Sequence, residues 1–168
     1  MTSSSRAAEL VRRLSLEPHP EGGFFREVHR GTARITSAAH EGERSALTHI
    51  EFLLEGESFS AWHVVVSDEL WHHYAGDPLE LHLLHPADGA APARHHVVIL
   101  GRELERGQVP HAVVPAGVFQ AARTLGAYSL MGCTVAPGFE FRDFSMPGRA
   151  ELLGRFPDHA AIVERFTR

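Results

Sequence analysis

The chain has 168 residues, 43% of them hydrophobic and 22% charged, which excludes a disordered or fibrous polymer and suits one domain around one core. A net charge of −5, with Arg12-Arg13 as its basic cluster, excludes the electrostatic footprint of a nucleic-acid binder. One cysteine, Cys133, excludes an intrachain disulfide, and there is no uncharged apolar run of about 18 residues to suit a membrane span. No apolar run of signal-peptide length follows residues 1–6, so the expected location is cytoplasmic.

Ala7, Leu10, Val11 and Leu14 recur at helical spacing, which predicts a helix over 6–16 that stops before Pro18 and Pro20. The period then changes. Residues 24–30 read as a strand and 31–44 as a polar loop. Short β-rich runs follow at 47–54, 60–66, 70–75, 79–85, 94–100, 111–115, 118–123 and 128–135. Gly56, Asp68, Gly76, Gly89, Gly107, Gly117 and Gly126 separate them as turns. Many short strands without intervening helices predict an all-β sandwich or barrel with its core at about 18–145. Asp158 is placed to cap a short helix over 158–166. No repeat or linker breaks the chain, so a single domain spanning 1–168 is expected.

Two stretches carry the chemistry. The first reads His63-x-Val65-x3-Glu69-x6-Gly76, and the second reads Pro115-x-Gly117-x2-Gln120. They resemble the paired motifs of the cupin superfamily, in which two histidines alternate on a strand, a glutamate follows, and a last histidine enters from the second motif to complete a divalent-metal site. Here Val65 stands at the second histidine position and Gln120 at the last, while Val109 and Thr124 replace the second motif's outer glycine and asparagine. Pro18-His19-Pro20-Glu21-Gly22-Gly23-Phe24-Phe25-Arg26-Glu27, Ser67-Asp68-Glu69-Leu70-Trp71-His72 and Pro137-Gly138-Phe139-Glu140-Phe141-Arg142-Asp143-Phe144 together resemble the uncharacterised cupin-5 family over residues 8–165. That resemblance implies a jelly roll (a double-stranded β-helix barrel) and a homodimer, and it implies no established reaction. The family is in turn similar to dTDP-sugar epimerases, metal-free cupins that use a histidine base and a tyrosine acid. Their implied counterparts here are His63 and Tyr128, the latter on chemistry alone.

Each candidate has two readings. His63 is either a satisfied core histidine or a general base whose tautomer Glu69 fixes. Strand alternation from Glu69 turns Trp71 and His73 inward and His72 outward, whereas a bulge near Gly76 would reverse this and bring His72 in. Trp71 is a packing residue and a pocket wall. Gln120 needs partners that either a ligand or a structural network would supply. Arg26 forms either a surface pair with Glu27 or Glu21, or a contact to an anionic ligand. Phe139, Phe141 and Phe144 are read as core or dimer packing, and Cys133 as a small buried hydrophobe. Among the thirteen histidines, His40, His95, His96 and His159 are read as solvated positions.

The leading functional expectation is a small polar ligand, such as a sugar or nucleotide derivative, held in the lumen and acted on without cofactor. His63 would be the base, Glu69 its orienter and Tyr128 the acid, in an epimerisation or isomerisation, with Arg26, Trp71, His72 and Gln120 in ligand contact. One rival keeps a divalent metal on His63, Glu69, Gln120 and His72, for dioxygenase or isomerase chemistry. The other is a non-catalytic ligand cage. No nucleic-acid or membrane partner is expected, and the phenylalanine-rich N- and C-terminal strands are candidates for a dimer contact.

Overall fold

The computed structural model describes residues 3–168. Helix α1 (Ser3–Arg13) leads into thirteen strands: β1 (Glu17–Pro18), β2 (Phe24–Arg30), β3 (Arg34–Ile35), β4 (Arg44–Ser45), β5 (Thr48–Glu55), β6 (Phe59–Val65) and β7 (Asp68–Gly76), then β8 (Leu79–His85), β9 (Arg94–Leu100), β10 (His111–Val114), β11 (Phe119–Thr124), β12 (Tyr128–Ala136) and β13 (Phe144–Ser145). Helices α2 (Arg149–Arg155) and α3 (Ala160–Arg165) follow. The strands form a six-stranded sheet, ordered β1-β2-β5-β12-β7-β10, and a five-stranded sheet, ordered β13-β6-β11-β8-β9, with β3 and β4 as a separate ribbon. All pairings between these strands are antiparallel. This is the all-β jelly roll expected of the sequence.

Alternation along the strands splits the apolar residues between two destinations. Phe52, Leu54, Trp71, Met131 and Cys133 of the larger sheet meet Leu79, Leu81, Leu83 and Ala122 of the smaller one, and this is the barrel's interior core. The intervening residues pack outward under helices. Leu53 and Leu130 lie beneath α1, whose Ala7, Leu10, Val11 and Leu14 form the predicted stripe. Trp62, Leu84, Phe119 and Ala121 lie beneath the C-terminal helices, against Leu152, Phe156, Val163 and Phe166. Two local expectations differ. Arg149–Arg155 is an additional helix, and the last helix begins at Ala160 without a side-chain cap from Asp158. None of the described helices is long and apolar enough to cross a membrane.

Three irregularities in pairing matter for function. The β6–β11 register shifts between Gln120 and Ala122, so Gln120 opposes His63 and Ala122 opposes Ser60. The β2–β5 register shifts between Glu27 and His29, and the β7–β12 register shifts between Leu130 and Met131. An extra residue in one strand puts side chains three apart, instead of two, on the same face. Ser60 joins His63 in this way, and Glu27 joins Arg30.

Phe166 is 1% exposed and packs edge-on against Phe59 and Trp62, while its carbonyl accepts a bond from the Trp62 N–H. Replacing it with alanine is expected to destabilise the fold by about 3–5 kcal/mol, read from urea-unfolding midpoints.

Candidate functional site

The turn between β1 and β2 delivers a carboxyl into one end of the barrel. Gly22 and Gly23 hold φ of 115° and 72°, a region where a side chain would be strained, and a Cβ on Gly22 would collide with the Phe59 carbonyl. The turn is closed by His19 N–H to Gly23 O at 3.0 Å, and it is tied to β6 by Ala61 N–H to Glu21 O at 2.8 Å. Glu21 is thereby left only 5% exposed.

Its surroundings decide its protonation. Ser60 Oγ donates to Glu21 Oε1 at 2.8 Å. His63, 2% exposed, places Nδ1 2.9 Å from the Ala61 carbonyl, so Nδ1 carries the hydrogen and Nε2 is bare. That bare nitrogen lies 3.3 Å from Glu21 Oε2. His19 Nδ1 spends its lone pair on the Glu21 backbone N–H at 3.3 Å and stands 3.4 Å from the same Oε2. The free lone pair of His63 therefore faces a carboxyl oxygen, and that contact is satisfied when the oxygen bears a proton. The electrostatics agree. Burial pushes the Glu21 carboxyl up to about 8 against the opposing effects of Ser60 and Arg168. Burial, helped by His63, pushes His19 down to about 3. Burial also lowers His63, with Glu69 and the Ala61 carbonyl pulling the other way.

Glu69 lies in the same chamber, 6% exposed, and burial raises it to about 7. Gln120 Nε2 donates to Glu69 Oε2 at 2.6 Å, and Gln120 Oε1 accepts the Trp71 indole N–H at 2.8 Å. One buried amide thus fixes both a carboxyl and an aromatic wall. The chamber holds about 110 Å³, room for roughly four waters. Phe25, Ile50, Phe52, Val65, Val135, Phe139, Phe141 and Phe144 complete its sides. Arg30 sits at its edge, forked onto Glu27 at 2.9 and 2.7 Å, and bonded to Glu140 at 3.3 Å and the Phe139 carbonyl at 3.0 Å.

The structure brings His63, Glu69 and Trp71 together at this cavity, and Gln120 stands behind them with both ends of its amide bonded. Tyr128 lies elsewhere. It packs with Leu10, Val11 and Leu14 against α1, outside the cavity, so it cannot supply a proton there. Arg26 points away and pairs across strands with Glu51 at 3.4 Å; the arginine of the cavity is Arg30. His72 is on the outer face of β7, its ring 6.4 Å from that of His49 and 6.5 Å from that of His111, because alternation from Glu69 continues through His73 and the bulge comes only after it. Phe139 and Phe144 line this cavity, and Phe141 lines it while staying 55% exposed. His40 is buried against Ser67 at 2.9 Å, and His95 is half-buried on His82 at 3.0 Å, so neither is a solvated histidine. Sequence reasoning missed Glu21 and His19 as site residues. The Pro20-Glu21-Gly22-Gly23 context reads as an exposed turn, and its partner strand begins about 40 residues later.

A cupin metal does not fit these residues. Val65 has no donor atom, Gln120 spends both its amide ends inside the protein, and His72 is on the far side of the sheet. Among the described residues, no three His, Cys, Asp or Glu side chains converge as metal ligands do.

Residues 8–147 match the family model described as Cupin superfamily (DUF985). The chain belongs to that family. It is similar to a hypothetical protein from Leishmania major at 34% identity and a TM-score of 0.89, over 96% of this chain and 98% of that one. A protein from Shewanella oneidensis is similar at 31% identity and a TM-score of 0.86, over 96% and 97%. A dTDP sugar isomerase from Desulfovibrio desulfuricans shares the cupin fold at 13% identity and a TM-score of 0.51, over 79% and 78%. Nothing matches among curated proteins.

The titration of this DUF985 site has a stability signature. Folding raises the Glu21 pKa, so the native state holds a proton that the unfolded chain has released, and stability falls as pH rises toward about 8. Between pH 7 and 8 the wild-type chain should lose roughly 1 kcal/mol that Glu21→Gln does not lose, measured by urea unfolding at each pH.

Proposed function

We propose that this cupin binds a small molecule in its barrel and transfers protons on it without a metal, with His63 as base and Glu21 as the acid that faces it. The single observation behind this is the contact of His63 Nε2 with Glu21 Oε2 at 3.3 Å, inside a mostly apolar chamber. A bare imidazole nitrogen and a protonated carboxyl, side by side and shielded from bulk water, are the two partners that proton abstraction and return require. The finer reading is isomerisation or epimerisation next to a carbonyl. The protonated form of Glu69 then donates to the developing enolate oxygen, and Gln120 and Trp71 act by positioning it.

This reading keeps His63 from the sequence argument and replaces Tyr128 with Glu21. It is tested by incubating the protein in D2O with small hydroxy- and amino-carbonyl compounds and following loss of the C–H signal beside the carbonyl by NMR. Exchange should survive EDTA treatment, fall by about 100-fold or more in His63→Ala and Glu21→Gln, and be unchanged in Tyr128→Phe. Equal rates in wild type and His63→Ala would refute the assignment. A compound that raises the melting temperature without any exchange would instead mark a ligand cage.

A further inference from the structure

We infer that the ligand of this cavity carries a positive charge, a small ammonium or quaternary-ammonium group enclosed by phenylalanine rings and carboxyl groups. The inference rests on the cavity being the ligand site and adds the class of ligand. Its first support is charge. Four carboxyl side chains line the chamber, Glu21, Glu27, Glu69 and Glu140, against one cationic side chain, Arg30. Arg30 offers nothing to an anion, since its fork is closed on Glu27 and its remaining reach goes to Glu140 and the Phe139 carbonyl. A phosphate or carboxylate entering here would meet carboxyl groups, and the arginine of the described lining is already paired.

The second support is the wall. Phe139, Phe141 and Phe144 stand mutually edge-to-face, with interplanar angles of 81°, 84° and 67°. Phe25 packs edge-on against the His19 ring, at 86° with 4.5 Å between centroids. These phenylalanines line the chamber, and an onium group within about 6 Å of a ring face is attracted by its π-electrons.

The ionisable groups facing the chamber are His19 and Glu21 on the turn, Glu27 and Arg30 on β2, His63 on β6, Glu69 on β7, Cys133 on β12 and Glu140 before β13. Burial keeps Glu69 and Glu21 near 7 and 8, so an arriving cation favours their ionised forms and expels protons. Affinity for a cation of fixed charge should therefore rise as pH passes from 6 to above 8.

The probe is choline, compared with its uncharged isostere 3,3-dimethylbutan-1-ol, by calorimetric titration with the His63 ring resonances followed by NMR. Choline should bind about tenfold or more tightly than the alcohol, gain affinity with pH, and release protons, seen as heats that change with the buffer. Glu69→Gln should remove most of the preference; Glu140→Gln, at the partly exposed rim, should weaken choline several-fold while leaving the fold intact. Equal or tighter binding of the alcohol overturns the charge inference. If the alcohol moves the His63 resonances and choline does not, the cavity remains a ligand site of another class. If neither moves them at about 50 mM, the charge inference falls together with the cavity's role.

Discussion

A carboxyl group buried among phenylalanines is the constraint around which this molecule is arranged. Taking an ionised carboxylate out of water is far more costly than taking out a neutral acid, so Glu21 keeps its proton and the neighbours adjust to that choice. His63 turns its bare Nε2 toward it, which it can do only as a neutral ring, and His19 stands 3.4 Å from the same oxygen. Ser60 supplies a hydrogen bond to the other oxygen. The glycine pair at the turn, the tie from Ala61 and the bulge in β6 are the backbone devices that put these groups within reach of one another.

The fold was largely legible in the sequence, because strand alternation and turn residues are local signals. The eight β-rich runs from residue 47 onward correspond to the eight long strands from β5 to β12, and the Ala7-Leu10-Val11-Leu14 stripe lies beneath the surface where it was expected. The site was legible by half. His63 and Glu69 share a chamber, as their spacing implied, because both are inward residues of adjacent segments. Glu21 was invisible since its burial depends on a turn folding back on a strand far along the chain, and no local pattern encodes that contact. Tyr128 was chosen on chemistry without position, and the outward phase of β12 at Leu130 carries it to α1.

Family membership and site chemistry say different things here. The chain and the sugar isomerase from Desulfovibrio share a barrel at 13% identity, which speaks to architecture alone. Inside that barrel, the second-histidine position of the superfamily pattern is a valine that lines the wall, and the last is a glutamine fastening a carboxyl to an indole. The interior is polar at one spot and aromatic around it, with its one arginine already neutralised at the rim.

The register shifts in β2 and β6 also change how related sequences are best compared. A motif search built on regular pleating looks for functional partners at even offsets, and it passes over Ser60 with His63 and Glu27 with Arg30. In a barrel with these kinks the informative word is a pair at i and i+3, and its loss or gain by a one-residue indel would re-aim half a strand without altering a single functional letter. Alignments scored letter by letter would rate such a change as trivial, although it would dismantle the chamber.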